Sequence, residues 1–344
     1  MIMRKSAFCA SAVTLAIFLS AVASAQEKPA AKEGQGGTES KLTISTKWKL
    51  GDQLRYRYTE ESKIVQKSED ETVTSVHRSQ SMIMWQLVEK VDEKGCATVA
   101  FEYESIVWKQ ESEQGILQWD SAKPDEGAAS EPAVKAYRAM VGKRFTMVSD
   151  PDGKITSVKG FDAIIEEIVK EFKDTPAEES VRKTLEGSFS DKAMVRMIGA
   201  ASNFLPGKPV AKGEEWAGET QTPLPGMGTM EVKAKYKLAE ITESKDERIA
   251  KITGEATMTL AAPKEGEESV NPILALFDVT IDKGNQSAEI LFNADRGVLV
   301  SQVLTQNFDM TMKMKTGDFE MKQSATTVTR VERLPEDTKE SKDK

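Results

Sequence analysis

Histidine and cysteine are nearly absent: the 344 residues hold one histidine, His77, and two cysteines, Cys9 and Cys96. An ordinary zinc site, which needs about four nitrogen or sulfur ligands, is excluded. Cys9 falls in the leader described below, and Cys96 alone cannot form a disulfide within its own chain, so stability must come from an apolar core. Cys96 follows Gly95 at a strand start and reads as a small buried apolar residue rather than a reactive thiol. His77 lies in an alternating polar stretch with no nucleophile and orienting acid marked beside it, the pattern of a surface histidine.

An excess of positive charge is missing as well. Lys and Arg number 47 against 55 Asp and Glu, a formal charge of -8, which disfavours nucleic-acid binding. Long hydrophobic runs are also lacking. The longest, Val13 to Leu19, is short of the roughly 20 residues of a membrane-spanning helix. With Arg4 and Lys5 before it and Ala23-Ser24-Ala25 after it, residues 1–25 read as a secretory signal cleaved after Ala25. The expected product is exported, periplasmic or extracellular, with no transmembrane segment. Loss of the leader lowers the basic count to 45 against 55 acidic residues, a charge of -10.

Residues 26–41 contain no large apolar residue and read as a disordered spacer, as do residues 335–344 at the other end. Between them, period-two alternation dominates. Leu54, Tyr56 and Tyr58 alternate with Arg55 and Arg57; Ile83, Trp85 and Leu87 share one face; Ala97, Val99, Phe101 and Tyr103 return after the turn at Glu93 to Gly95. The connections are too short for parallel crossovers, so these strands form an antiparallel meander. Gly115 to Ser121 reads as a short edge strand and Pro132 to Val141 as a small helix. Lys143 to Gly160 reads as a hairpin around Asp150-Pro151-Asp152-Gly153, a turn rather than a calcium loop, because the later acidic ligands are missing.

One region has the helical period. Phe161, Ile164, Ile165, Ile168, Val169 and Phe172 lie on one helix face. Thr175-Pro176-Ala177-Glu178 is a capping box opening a second helix with Val181 and Leu185. Ser190 caps a third, with Met194, Met197, Ile198, Ala201 and Leu205 on its apolar side. After Pro206 the strand pattern resumes, through Val232 to Leu238 and Ile249 to Leu260, and ends in the paired runs Phe308 to Lys315 and Phe319 to Val331.

Landmarks recur in order: Gly51 with Gly213, Trp85 with Tyr236, Gly153 with Gly297. They suggest duplication of a strand-rich unit. The expected fold is α+β, mainly β: two related antiparallel curved-sheet units, 42–160 and 206–334, flanking a three-helix segment, 161–205. The stretch Leu205-Pro-Gly-Lys-Pro-Val-Ala-Lys-Gly-Glu-Glu-Trp216, with the Gly142 to Gly160 hairpin, resembles a family of exported bacterial proteins known only as a domain of unknown function. That resemblance implies no catalytic residues. The pattern is also similar, more loosely, to the curved sheets of periplasmic lipoprotein carriers.

No constellation of catalytic groups stands out. Pairs such as Glu102 with Glu104 and Glu166 with Glu167 suit the solvated faces of an acidic protein better than a glycosidase. Met310, Met312 and Met314 place three thioethers on one strand face. Copper(I) would suit them, but Phe308 continues the same row, so packing is the preferred reading. With Met194 and Met197 above them, Phe308, Met310, Met312 and Met314 make the candidate ligand-binding inner face, adaptable enough for irregular apolar ligands. The expected function is that of a non-enzymatic envelope protein without cofactor or metal, binding a lipid or another envelope protein. A solid-core interaction module is the alternative, and a hydrolase the weaker one.

Overall fold

A computed structural model describes residues 41–68, 72–128, 131–176, 178–200, 204–224, 228–244, 247–261, 276–317 and 319–335. The expected leader, nearly all of the expected spacer, the residues beyond Pro335, Ala177 of the expected capping box, Ala201 and most of the polar stretch before Phe277 lie outside these residues.

Along the chain run β1 (Gln53–Ser68), β2 (Val73–Val91), β3 (Ala97–Ser112), β4 (Gly115–Asp120), α1 (Pro132–Met140), β5 (Arg144–Ser149), β6 (Ile155–Lys159), α2 (Phe161–Val169), α3 (Glu178–Phe189), α4 (Asp191–Ala200), β7 (Glu215–Leu224), β8 (Gly228–Ser244), β9 (Glu247–Ala261), β10 (Phe277–Asn293), β11 (Val298–Met314) and β12 (Glu320–Arg333). The fold is mainly β. All twelve strands belong to one curved, unclosed antiparallel sheet in the order β6-β5-β3-β2-β1-β12-β11-β10-β9-β8-β7, with β4 beside the far half of β3. Strands from the two ends of the chain meet where β1 pairs β12, from Tyr56 opposite Arg333 to Ser68 opposite Met321.

Alternation decides what the two faces carry. On β1 the even residues Leu54, Tyr56 and Tyr58 face inward, and the register aligns them with Gln86, Met84 and Met82 of β2. Ile83, Trp85 and Leu87, which share a face as their spacing requires, take the outer one, where they are half-buried.

Two large apolar clusters lie on the inner face. Over the later strands, Leu42, Ile44, Phe204 and Val210 cover Trp216, Tyr236, Leu238, Ile252 and Ile290. Leu42 and Val210 exchange backbone hydrogen bonds of 2.8 and 3.0 Å, so two chain segments far apart in sequence lie side by side as a cover. Over the earlier strands, α2 and α4 place Phe161, Ile164, Ile168 and Met194 on Val99, Phe101, Phe145 and Val158. Phe145 and Phe161 stack with centroids 4.1 Å apart.

The helices start where the sequence indicates, with one difference. Ser190 Oγ accepts the Ala193 N–H at 3.3 Å, as a helix cap should. Before α3, however, the Glu178 carboxylate accepts from the Asp174 N–H (3.0 Å) rather than from Thr175, and Thr175 donates its hydroxyl back to Phe172 O. Asp174, with φ of 63°, absorbs the reversal between α2 and α3. The start of α2 is held from a distance: Asp191 Oδ1 accepts from Phe161 and Asp162 N–H, and Asp162 Oδ1 accepts from Asp191 N–H.

Candidate functional site: an apolar cavity between sheet and helices

Between the inner face of the sheet, α4 and the segment around Thr46 to Trp48 lies a cavity of about 360 Å³. That is the lower end of the roughly 300–1,000 Å³ usual for small-molecule sites. Gln80, Met82, Met84 and Gln86 of β2 all line it, a span of six residues, or about 20 Å of strand. Its walls carry six methionines (Met82, Met84, Met140, Met147, Met194, Met197) and four of the five tyrosines (Tyr56, Tyr58, Tyr103, Tyr137). No Asp, Glu, Lys or Arg lines it among the described residues.

The cavity exists because its walls cannot close on one another. The sheet curves away, the helices rest on the β3, β5 and β6 end, and two glycine turns wedge the cover in place. Gly153 and Gly297, both at positive φ, lie against Thr46 and Lys47: a Cβ on Gly297 would stand 2.3 Å from Lys47 N, and one on Gly153 3.3 Å from Thr46 Oγ1. Lys47 donates its ammonium to Ala294 O (2.9 Å) and Asp295 O (3.3 Å). The Asp150 turn is a plain Asx turn whose carboxylate accepts from Asp152 and Lys154 N–H. The hairpin is nevertheless part of the site, since Met147, Gly153 and Ile155 line the cavity.

One end of the cavity is polar. The Tyr137 hydroxyl donates to Gln80 Oε1 at 2.6 Å, and the Tyr58 hydroxyl donates to Glu60 Oε2 at 2.5 Å. Glu60 lies opposite Gln80 in the β1–β2 register. Burial raises the Glu60 carboxyl above the ordinary carboxylate range, against the Tyr58 hydrogen bond and the Arg78 charge, which lower it. Arg78 donates to Gln110 Oε1 (2.7 Å), and burial lowers its own affinity for the proton. Tyr56 and Tyr103 are pushed up to about 12 by burial. Two N–H donors on the cavity wall, Gln80 Nε2 and Trp48 Nε1, are buried without a hydrogen-bond partner.

Of the candidate inner-face residues, Met194 and Met197 line this cavity. Phe308, Met310 and Met312 do not; they pack with Met321, Phe277, Val279 and Phe319 in a cluster farther along the same face, with Phe308 and Val279 also touching the core over the later strands, and Met314 is half-buried at its end. A hydrogen-bonded polar belt crosses the face between Leu304 and the methionine row: Ser62 with Thr327 at 3.0 Å, and Gln306 donating to Gln286 at 3.0 Å. Pattern reading could not place that belt, because a buried glutamine pair across two strands looks like two solvated residues until the register is known. Gln80, Tyr58 and Tyr137 were missed for the same reason, although the alternation Gln80, Met82, Met84, Gln86 marks the face.

The remaining singled-out groups stand apart. His77 is partly exposed, 3.8 Å from Glu111. Glu104 pairs with Arg55 (2.6 Å), and Glu166 pairs with Arg182. Cys96 is a free, half-exposed thiol, not the buried residue expected from its position; its N–H donates to Asp92. Among the described residues no group of three or more His, Cys, Asp or Glu could hold a metal ion, and no helix is long and apolar enough to cross a membrane.

Fold and site together define a mainly-β protein with an open, curved sheet and an interior apolar cavity capped by helices. The chain belongs to a family of unknown function, DUF6263, whose model matches residues 94–299. It matches no curated protein. Among solved structures it is similar to lipovitellin, in a structure of lipid–protein interactions (8% identity, TM-score 0.43, covering 83% of this chain and 25% of that one). It is also similar to a candidate lipoprotein of Parabacteroides distasonis (9% identity, TM-score 0.22, 83% and 97% covered). A third is a candidate exported protein with a YmcC-like fold from Bacteroides fragilis (10% identity, TM-score 0.19, 82% and 97% covered). The chain spans a quarter of the lipovitellin chain's length.

Proposed function

We propose that this is an exported, non-enzymatic protein of the cell envelope that holds a hydrophobic ligand in the cavity between sheet and helices. The observation that carries the reading is the cavity's lining: methionines and aromatic rings around about 360 Å³, with no charged side chain among the described residues. Methionine's flexible thioether chain suits a wall that must fit ligands of irregular shape. General acid–base or nucleophilic chemistry would call for titratable groups converging on a reacting atom, whereas the Tyr56, Tyr58 and Tyr137 hydroxyls on the wall donate to three separate acceptors, Leu299 O, Glu60 and Gln80. Export is supported by the leader pattern of residues 1–25. The repeated landmarks also support origin by duplication, since Gly51 and Gly213 close their turns alike: Gly51 N–H donates to Val88 O and Val88 N–H to Asp52 O, and Gly213 N–H donates to Leu238 O and Leu238 N–H to Glu214 O.

The test is displacement of N-phenyl-1-naphthylamine, a neutral apolar fluorophore, from the purified protein. Saturable binding that Met84→Trp abolishes supports a ligand cavity. Absence of saturable binding by a folded protein contradicts it.

A further inference from the structure

Resting on that reading, the geometry points to an occupant with a definite chemistry: a single-chain acyl amphiphile whose neutral carbonyl, as in an ester or amide, accepts a hydrogen bond from Gln80 Nε2. Gln80 is 7% exposed, lines the cavity, and has an amide nitrogen with no partner. Its other amide atom is fixed by the buried Tyr137, so the amide is held with its donor uncommitted. An unpaired buried donor is costly, and a ligand acceptor removes that cost. The alternation along β2 then runs from this donor past Met82 and Met84, which gives the acyl chain an apolar path from the polar end.

Charge at the Gln80 end disfavours an anionic headgroup there. No cation lines the cavity among the described residues. At the Gln80 end the cation is Arg78, which is committed to Gln110 and to the field of Glu60, across the register from Gln80; Arg296 and Arg333 act instead on Tyr56, elsewhere on the wall. A carboxylate or phosphate at Gln80 would be buried without a counter-charge and close to another carboxylate. A neutral carbonyl meets neither obstacle.

The experiment measures displacement of N-phenyl-1-naphthylamine by methyl dodecanoate, tetradecane and dodecanoate at pH 8, with wild type and Gln80→Met. In wild type the ester should displace at least about ten-fold better than the carboxylate, and the ester-to-alkane affinity ratio should fall about ten-fold in Gln80→Met, the size of one lost buried hydrogen bond. An independent readout needs no variant: the infrared carbonyl band of the ester should move to lower wavenumber on binding wild type. Equal ratios in both proteins with an unshifted band would overturn the assignment of Gln80 and leave the cavity reading standing. Tighter binding of dodecanoate than of its ester would overturn the neutral headgroup. Failure of every probe to bind the folded protein would overturn both this inference and the reading beneath it.

Discussion

The hydroxyl of Tyr137, on α1, donates to Gln80 Oε1, on β2, at 2.6 Å, and both residues are buried. This bond ties the small helix to the polar end of the cavity. Tyr137→Phe should cost about 1–3 kcal/mol, because Gln80 Oε1 is then buried without its partner. Urea unfolding checks it, and an effect below the measurement error would mean that water takes the place of the hydroxyl.

Gly297 should be intolerant of any side chain. Its φ is 68°, and a Cβ would meet the Lys47 backbone and side chain at 2.3 to 2.6 Å. Gly297→Ala should therefore destabilise by about 2–4 kcal/mol, more than the loss of conformational freedom alone explains. Gly213→Ala is the control. Gly213 has a similar φ of 85° but open space around it, so its penalty should be smaller.

The reciprocal cap between Asp191 and Asp162 fixes α2 against α4. Removing the Asp191 carboxylate leaves the Phe161 and Asp162 N–H groups without an acceptor. Asp191→Ala should cost about 0.5–2 kcal/mol. Amide exchange should rise first at the start of α2, and an increase confined to α4 would argue against the cap.

Stability should depend on Glu60 and pH in a fixed direction. Burial raises its folded-state affinity for a proton above that of the unfolded chain. The associated stability is therefore fully present below about pH 4.3, the unfolded value, and is lost as pH rises through the higher folded value. Glu60→Gln should raise the melting temperature near pH 7 and leave it nearly unchanged near pH 3. A gain that is the same at both would show that the carboxylate's charge is not the cause.

Much of the fold was legible in the sequence because period-two and period-3.6 patterns report local geometry directly. Leu54, Tyr56 and Tyr58 revealed a strand, and Phe161 to Val169 a helix, without reference to any partner. The site was less legible, because a cavity wall is assembled across strands. Met194 and Met197 could be picked out by composition, yet the wall they complete depends on the register that sets Tyr58 beside Met82 and Glu60 beside Gln80. The methionine row of β11 shows the limit. Met310 and Met312 share a face with Leu304, which lines the cavity, but the belt of Gln306, Gln286, Ser62 and Thr327 stands between. The landmarks Gly51 and Gly213 show the same limit: their turn bonds match Val88 with Leu238, one residue off the alignment of Trp85 with Tyr236. Backbone hydrogen bonds define such a register, and side-chain identity only approximates it.

The most direct test is native mass spectrometry of the protein purified without detergent from its own host, beside a Met84→Trp variant. The account predicts a bound neutral lipid of low mass on the wild type, absent from the variant, with both chains folded by circular dichroism. A bare wild-type chain that also takes up no added methyl dodecanoate would contradict it.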